Sequence, residues 1–114
     1  MLEIKETKKF KKLLKALIKF KVISKEDYQK TKELFKEDRF HYKLRPHKIK
    51  CGKDDLISLT IPNTQYRILC YLTCSPEIAI FAWIGSHRDY EIIIKNSKNC
   101  KHYIFECEEL KRLI

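Results

Sequence analysis

Three apolar runs in the second half of the chain, separated by short turn signals, constrain the fold most strongly. Leu56 to Ile61 and Gln65 to Thr73 alternate their side chains between two faces, as β-strands do. Ile78 to Ile84 is nearly all apolar, which is typical of a strand buried on both faces. Pro62-Asn63-Thr64 and Ser75-Pro76 are turn signals between the runs. The pattern therefore predicts a three-stranded antiparallel meander.

Two helices are predicted before the meander, after a short strand at Leu2 to Ile4. An apolar stripe with helical spacing begins beyond Thr7, and lysines fall off this stripe. Ser24 begins a second helix, with Asp27 three residues later as in a capping box, and this helix ends near Glu37. We expect both helices to pack on the sheet. Membrane-surface binding is the alternative for a basic amphipathic helix.

The remaining segments carry weaker signals. Phe40 to Lys53 is interpreted as a basic loop, because Pro46 argues against a helix there. Ser86 is expected to cap a short helix that runs to about Lys95. In the tail, His102 to Phe105 is interpreted as a strand and Glu106 to Ile114 as a helix.

The length and hydropathy predict one domain outside the membrane. At 114 residues the chain can bury a modest core. Its apolar runs are shorter than the roughly 20 residues of a membrane helix. Met1 to Lys5 lacks the apolar segment of a secretory signal. We therefore expect a cytoplasmic protein with no membrane partner.

The five cysteines are an odd number and contain no C-x-x-C pair. This usage favours reduced, mostly buried thiols. Zinc binding by Cys100, His102 and Cys107 is the alternative, but their spacing is poor for a tetrahedral site. We expect no metal and no other cofactor.

The net charge of +10 comes from the first half of the chain. Residues 1–53 hold 18 lysines and arginines against 7 acidic residues, whereas residues 54–114 hold 7 against 8. The positive electrostatic potential of such a charge distribution favours nucleic acid or an acidic protein as the partner. A solvated lysine-rich surface would give the same composition.

The segment from Ala82 to Tyr90 carries the residues best suited to catalysis. The chain turns at Gly85 and then presents His87, Arg88 and Tyr90 within four residues. Proton-transfer groups beside a guanidinium are what metal-free cleavage of RNA requires. The segment therefore predicts an anionic substrate, with RNA as the leading class.

Two segments resemble motifs of the RelE/ParE superfamily of bacterial toxins. Thr64 to Tyr71 (TQYRILCY) is similar to the strand motif g-Y-R-[IVL]-[IVL]-Y of that superfamily. Phe81 to Tyr90 (FAWIGSHRDY) is similar to the f-x-W-I-G-[TS]-H-x-[DE]-Y run of RelE/HigB-type mRNA interferases. The two motifs lie about 20 residues apart, as in that group.

The resemblance covers roughly residues 1–95, so the chain is interpreted as a single RelE-like domain over 1–114 with an extension at about 97–114. It implies an α+β fold: a short N-terminal strand and two helices packed on a mostly antiparallel sheet with a three-stranded meander, and then a short C-terminal helix. It also implies the toxin of a type II toxin–antitoxin system. Such toxins cleave mRNA, often in the A site of the 30S ribosomal subunit, and are silenced by a cognate antitoxin.

The resemblance also implies roles for individual residues. Arg67 matches the strand arginine that contacts the scissile phosphate, and His87 matches the histidine used for proton transfer. Tyr90 matches an aromatic residue near the substrate, where it would stack on a base or donate a hydrogen bond. We expect His47 to be the second acid or base group. Further residues are expected to bind the RNA backbone: Arg45, Lys48, Lys50 and Arg88.

The sequence departs from the family pattern in two places. Ser58 and Thr60 stand where RelE has lysines on the strand before the arginine. Trp83, which we expect to be a core residue, stands where several histidine-bearing members have an arginine.

Two other functions remain open from the sequence. A ParE-like toxin would inhibit gyrase and leave RNA intact, although ParE-type chains generally lack the histidine of the Gly-Ser-His run. A small basic RNA-binding protein without catalysis would use aromatic residues for stacking, such as Tyr42, Tyr66 and Tyr71.

Overall fold

A computed structural model describes residues 3–51, 54–73, 78–95 and 100–104 of the chain. Its helices and strands, in chain order, are β1 (Glu3–Glu6), α1 (Lys8–Lys19), α2 (Lys25–Glu37), β2 (His47–Cys51), β3 (Asp54–Thr60), β4 (Tyr66–Thr73), β5 (Ile78–Ser86) and α3 (His87–Lys95). Short 3-10 turns lie at Tyr42–Leu44 and Lys101–Tyr103.

The five strands form one sheet in the order β1-β5-β4-β3-β2. The pairs β2–β3, β3–β4 and β4–β5 are antiparallel, and β1 pairs in parallel with β5. The parallel pair is compatible with the long connection between these strands, since parallel strands need a crossover. The predicted α+β fold with a mostly antiparallel sheet is therefore confirmed.

Side-chain caps fix the starts of the two long helices. The Thr7 hydroxyl accepts a hydrogen bond from the Phe10 backbone N–H at 3.1 Å. The Asp27 N–H donates to Ser24 Oγ at 3.0 Å, and the Ser24 N–H donates to the Asp27 carboxylate at 3.3 Å. This is the predicted capping box, and each such cap stabilises a helix by about 1 kcal/mol.

The sheet buries both of its faces. The α1/α2 face carries Ile57, Leu59 and Ile68, which pack against side chains of α1 and α2. Phe81 is fully buried there, and its ring contacts Phe10 and Phe35 of these helices. The apolar stripe of α1 therefore faces the sheet, as the sequence predicts, and its lysines remain outside.

The opposite face, the α3 face, carries Leu56, Leu69 and Trp83. These residues pack with Tyr90 of α3 and with Tyr103 of the C-terminal 3-10 turn. Trp83 is 6% exposed, so it is a core residue as expected. Because α3 begins at the end of β5, this face brings β4 and the start of α3 together.

One acidic group is bound between β1 and α2. The Tyr28 hydroxyl donates a hydrogen bond to the Glu6 carboxylate, and Lys32 Nζ lies 4.0 Å from the same carboxylate. Burial of the Tyr28 ring, together with the hydrogen bond to Glu6, raises the pKa of the phenol well above its usual value. The contact ties the N-terminal strand to the second helix.

The interpretation of 40–53 as a basic loop is wrong for its second half. His47–Cys51 forms β2, an edge strand that pairs with β3. Edge strands are paired on one side only and accept lysines readily. Lys48 and Lys50 gave this strand a charge-rich composition, which is why it was interpreted as a loop. The alternation of Ile49 and Cys51 with these lysines was the available signal.

The expectation of reduced thiols is also wrong for two of the cysteines. Cys51 and Cys100 are joined by a disulfide with a Cα–Cα distance of 5.9 Å, although they are 49 positions apart. Cys51 ends β2, and Cys100 packs on the same α3 face, so the fold brings them together. Cys70 is a free, fully buried thiol as expected, and burial raises its pKa. The remaining cysteines, Cys74 and Cys107, lie outside the described residues.

The tail differs from its predicted structure where it is described. Residues 101–103 form a 3-10 turn, not the strand expected from His102. Tyr103 is buried by packing on the α3 face, which fixes the turn without strand pairing. The predicted helix from Glu106 lies outside the described residues. None of the described helices has the length and hydropathy required to cross a bilayer.

Candidate active site

Four polar side chains form a row across the α3 face, which we call the polar row. It consists of His87 at the start of α3, Arg67 on β4, Ser58 on β3 and His47 on β2. Arg67 lies opposite Gly85, the second residue before His87, and His47 lies opposite Ser58. Residues directly opposite one another in antiparallel strands share a face. The sheet register therefore brings together an arginine and two histidines from distant parts of the sequence.

The contact between Arg67 and His87 defines the centre of the row. Arg67 Nε donates a hydrogen bond to His87 Nδ1 at 3.0 Å. A guanidinium has no acceptor, so Nδ1 must carry the lone pair in this contact. His87 is fixed in position by its own backbone, because its N–H donates to the carbonyl of Gln65 at 2.8 Å.

Glu91 binds the other nitrogen of the same imidazole. Its Oε1 lies 3.0 Å from His87 Nε2, one helical turn further along α3. With Nδ1 accepting from Arg67, the proton of a neutral His87 resides on Nε2 and is donated to Glu91. A carboxylate at this nitrogen also stabilises the imidazolium that forms when Nδ1 takes up a proton. The sequence analysis missed Glu91, although its i, i+4 spacing from His87 is a recognisable signal.

The Tyr90 ring packs against both Arg67 and His87. Its ring centroid lies 4.9 Å from Arg67 Cζ, in a cation–π contact, and 5.9 Å from the His87 ring, to which it is nearly parallel. Tyr90 is only 4% exposed. Its ring is covered by the arginine and the histidine, so in this arrangement it offers no open face for a base to stack on.

Ser58 binds Arg67, and Gly85, which lies opposite Arg67, leaves room for the Trp83 indole. Arg67 Nη1 donates to Ser58 Oγ at 3.2 Å, and Ser58 is fully buried. Gly85, opposite Arg67, has no side chain, and a Cβ there would lie 2.6 Å from Trp83 Cη2. The glycine is required by this close approach of the indole. Ser58, which stands where RelE has a lysine, here binds the arginine.

The other expected site residues lie at different distances from this centre. His47 is exposed and lies at the far end of the polar row, beyond Ser58. Lys48 and Lys50 are exposed on the same strand, and Lys48 points to the face opposite His47. Arg88 is exposed beside His87 at the start of α3. Arg45 is exposed just before β2 and ends the 3-10 turn with a left-handed backbone, φ 44°.

Metal-ligating side chains do not cluster in the described part of the chain, where no group of three or more His, Cys, Asp or Glu has a suitable arrangement. In the alternative zinc trio, the Cys100 sulfur is bonded to Cys51 and is not free to bind a metal. Cys107 lies outside the described residues.

The chain is similar to two solved structures. YafQ from E. coli strain BL21(DE3) is 12% identical, with a TM-score of 0.61, and the match covers 79% of this chain and 98% of that one. A metal-bound toxin from Helicobacter pylori is 24% identical, with a TM-score of 0.62, and the match covers 78% of this chain and 98% of that one. No protein-family model matches the sequence, and no curated protein is significantly similar to it. The fold of the chain is therefore the fold of these two structures, which is the α+β fold expected from the resemblance of its two motifs.

Proposed function

We propose that this protein is the toxin of a type II toxin–antitoxin system and cleaves mRNA as a metal-independent endoribonuclease. The observation that carries the proposal is the hydrogen bond from Arg67 Nε to His87 Nδ1. It places a permanent cation and a proton acceptor side by side. The likeness to a Helicobacter pylori toxin supports the toxin role.

RNA supplies its own nucleophile, so the protein has to move protons and stabilise charge. The substrate 2′-oxygen attacks the adjacent phosphorus while its proton passes to His87 Nδ1. When the substrate binds, Arg67 Nε moves from His87 Nδ1 to the phosphate, which leaves the Nδ1 lone pair free for the proton. Arg67 then binds the non-bridging oxygens through Nε and Nη2 and stabilises the charge that develops at phosphorus, while Nη1 stays with Ser58 Oγ. The bond from phosphorus to the 5′-oxygen breaks, and a general acid protonates that oxygen. The products are a 2′,3′-cyclic phosphate and a free 5′-hydroxyl.

His47 is the proposed general acid. In-line displacement requires the attacking and leaving oxygens on opposite sides of phosphorus, so the base and the acid must also lie on opposite sides. Within the polar row, His87 and His47 lie on opposite sides of Arg67, three strands apart. The register places His47 level with Trp83, four residues before His87. With about 14 Å across the three strands and about 13 Å along them, the two backbones are roughly 20 Å apart. A phosphodiester bound to Arg67 lies between the two imidazoles.

The expected contribution of each group to the cleavage rate follows from its role. General acid–base assistance is worth roughly 10² to 10⁴ in rate per group. One donor at the developing charge is worth about 3–4 kcal/mol.

We also propose that four exposed cations bind the RNA backbone and ribosomal RNA: Arg45, Lys48, Lys50 and Arg88. The protein would act in the cytoplasm, on the ribosome. A cognate antitoxin is the proposed inhibitor, with acidic surface toward the basic half of the chain.

Controlled expression in bacteria tests the function. Wild type should arrest growth and shorten mRNA, whereas His87→Ala and Arg67→Gln should do neither. His102→Ala is the matched control, because His102 is an exposed histidine outside the polar row. Equal toxicity and equal mRNA loss for wild type and His87→Ala would remove His87 from the chemistry. DNA breaks with intact mRNA would support gyrase inhibition instead.

Cleavage by purified protein tests the metal independence. With EDTA present, wild type should cut ribosome-free RNA and leave 2′,3′-cyclic phosphate ends. Loss of cleavage in EDTA that returns with a divalent ion would contradict the mechanism. RNA binding without any cleavage would support a non-catalytic RNA-binding protein.

A further inference from the structure

A basic cavity lies at the end of the β3–β4 hairpin, near the polar row. It has a volume of about 630 Å³ and lies between α2, the 3-10 turn at Tyr42–Leu44 and the turn that follows β3. We call it the flanking cavity. Its lining includes the cations Lys30, Lys43 and Arg45, and it contains no aspartate or glutamate. Ligand sites in proteins commonly measure roughly 300–1,000 Å³, so the size suits a nucleotide.

Thr60 links this cavity to the proposed catalytic centre. It lines the cavity, and it lies directly opposite Arg67 in the β3–β4 pair. Directly opposite residues have Cβ atoms about 5 Å apart on the same face of the sheet. Because Leu34 of α2 packs on the opposite face of the sheet, the cavity lies around the end of β3, and a nucleotide next to a phosphate on Arg67 reaches it past the strand edge at Thr60.

Thr60 also has unused hydrogen-bonding capacity. It is 8% exposed, and its Oγ1 has no hydrogen-bond partner among the described residues. Leaving a buried hydroxyl unpaired is unfavourable, and buried polar atoms in native proteins are nearly always paired. Because Oγ1 is closed to solvent, a sugar or phosphate oxygen in the cavity becomes its partner only if the Thr60 side chain turns toward the cavity.

Tyr42 gives the cavity an exposed aromatic surface. It is 76% exposed, and its ring stacks on His41 with centroids 4.8 Å apart and planes at 22°. His41 is held in turn, because its Nδ1 accepts a hydrogen bond from the Lys43 backbone N–H at 3.2 Å. An aromatic ring among cations is the combination that binds single-stranded nucleic acid, through base stacking and phosphate contacts.

We propose that the flanking cavity binds the nucleotide next to the scissile one in single-stranded RNA. The base stacks on Tyr42, and Lys43 and Arg45 bind the phosphate. This inference rests on the proposed function, since it takes Arg67 as the binding site of the scissile phosphate. It adds a substrate subsite that extends the polar row by one nucleotide.

Binding and crosslinking of an uncleavable RNA test the subsite. The probe is a single-stranded 2′-O-methyl decamer carrying a fluorophore and one 4-thiouridine, titrated into the full chain. Tyr42→Ala should weaken binding about tenfold, and Tyr42→Phe should restore it. The double variant Lys43→Gln, Arg45→Gln should lower the slope of log affinity against log salt by about 0.7 per lost phosphate contact. Irradiation of the wild-type complex should crosslink Tyr42, mapped by mass spectrometry.

The chain offers matched controls for both changes. Phe20 is also strongly exposed, at 73%, and lies beside a lysine, but it does not line the cavity. Phe20→Ala should therefore leave the affinity unchanged, as should the exposed charge change Lys12→Gln. If Tyr42→Ala and Phe20→Ala bind the decamer equally well, the subsite is overturned. The subsite is also overturned if the Tyr42 and Arg45 variants bind poly-glutamate more weakly than wild type does but bind the decamer equally well. The cavity would then be a binding site for an acidic protein.

The same experiment separates this inference from the proposed function. Cleavage of RNA together with unchanged decamer binding by the Tyr42 variant would leave the nuclease intact and remove the subsite. Decamer binding that depends on Tyr42, with no cleavage by wild type, would keep the subsite and remove the nuclease. No binding of the decamer to wild type would overturn the subsite, and cleavage of ribosome-bound mRNA by the same protein would still support the nuclease.

Discussion

Arg67 and His87 are 20 positions apart in the chain, and Nε of the arginine lies 3.0 Å from Nδ1 of the histidine. The contact occurs because β4 and β5 are adjacent and α3 begins at the end of β5. It fixes which imidazole nitrogen carries the lone pair, and it directs that nitrogen toward the cation. A phosphate drawn to the guanidinium therefore meets a proton acceptor.

Glu91→Gln should lower kcat for RNA cleavage by less than tenfold and leave KM unchanged. The glutamine can still accept the Nε2–H of His87, but it lacks the charge that stabilises the imidazolium. The effect is small because both side chains are about half exposed, and such pairs contribute about 1 kcal/mol or less. Steady-state kinetics on a short RNA provide the measurement, with Asp89→Asn on the same helix as the control. A hundredfold loss would mean that Glu91 has a direct part in catalysis.

His47→Ala should lower kcat roughly a hundredfold, because His47 is the proposed proton donor to the 5′-oxygen. An RNA with a 5′-thio leaving group needs no such donor, so it should be cleaved equally fast by wild type and by this variant. His102→Ala should behave as wild type on both substrates. An equal deficit of His47→Ala on the thio-substituted and ordinary substrates would show that the residue acts by binding and not as an acid.

Gly85→Ala should destabilise the fold by about 1–3 kcal/mol, because the added methyl group would overlap the indole of Trp83. Urea denaturation followed by circular dichroism measures the change. Trp83→Phe removes the overlapping atoms, so the double variant should be more stable than the sum of the single changes implies. Strict additivity of the two changes would contradict the close contact.

Reducing the Cys51–Cys100 disulfide should lower the free energy of unfolding by roughly 2–4 kcal/mol, because the link closes a loop of 49 positions. Thermal melts with and without dithiothreitol measure this effect. The double variant Cys51→Ser, Cys100→Ser should melt at a lower temperature than the oxidised wild type and should not respond to the reductant. A wild-type melt that is insensitive to dithiothreitol would contradict the link. Mass tagging of thiols in acid-quenched cells would report whether the disulfide is formed in vivo.

Periodicity and turn chemistry were sufficient to predict most of the fold. The alternation in 56–61 and 65–73 placed β3 and β4, and the capping pair Ser24 and Asp27 placed the start of α2. β2 was not predicted because an edge strand needs only one buried face, and its lysines resembled a loop. The 3-10 turn at Lys101–Tyr103 is held by packing of Tyr103, and a contact across the fold leaves no local pattern in the sequence.

The candidate site was predictable only in part. The Gly-Ser-His turn and the strand arginine were recognised through a family resemblance, whereas their hydrogen bond depends on a register that spacing alone does not define. The role of Ser58 as a partner of Arg67 follows from a diagonal contact between strands. The link between Cys51 and Cys100 was hidden for a similar reason, since an odd number of cysteines does not indicate which two will meet.

The parallel pairing of β1 with β5 affects when the protein can fold during synthesis. Glu3 pairs with Ile78, so the first strand has no partner until most of the chain has been made. Contacts between such distant segments form slowly, because the intervening chain must first be ordered. His87 directly follows β5 in the chain, so it is also not exposed while β5 is still inside the ribosomal exit tunnel. The completed sheet and the imidazole therefore become available at the same late stage of translation.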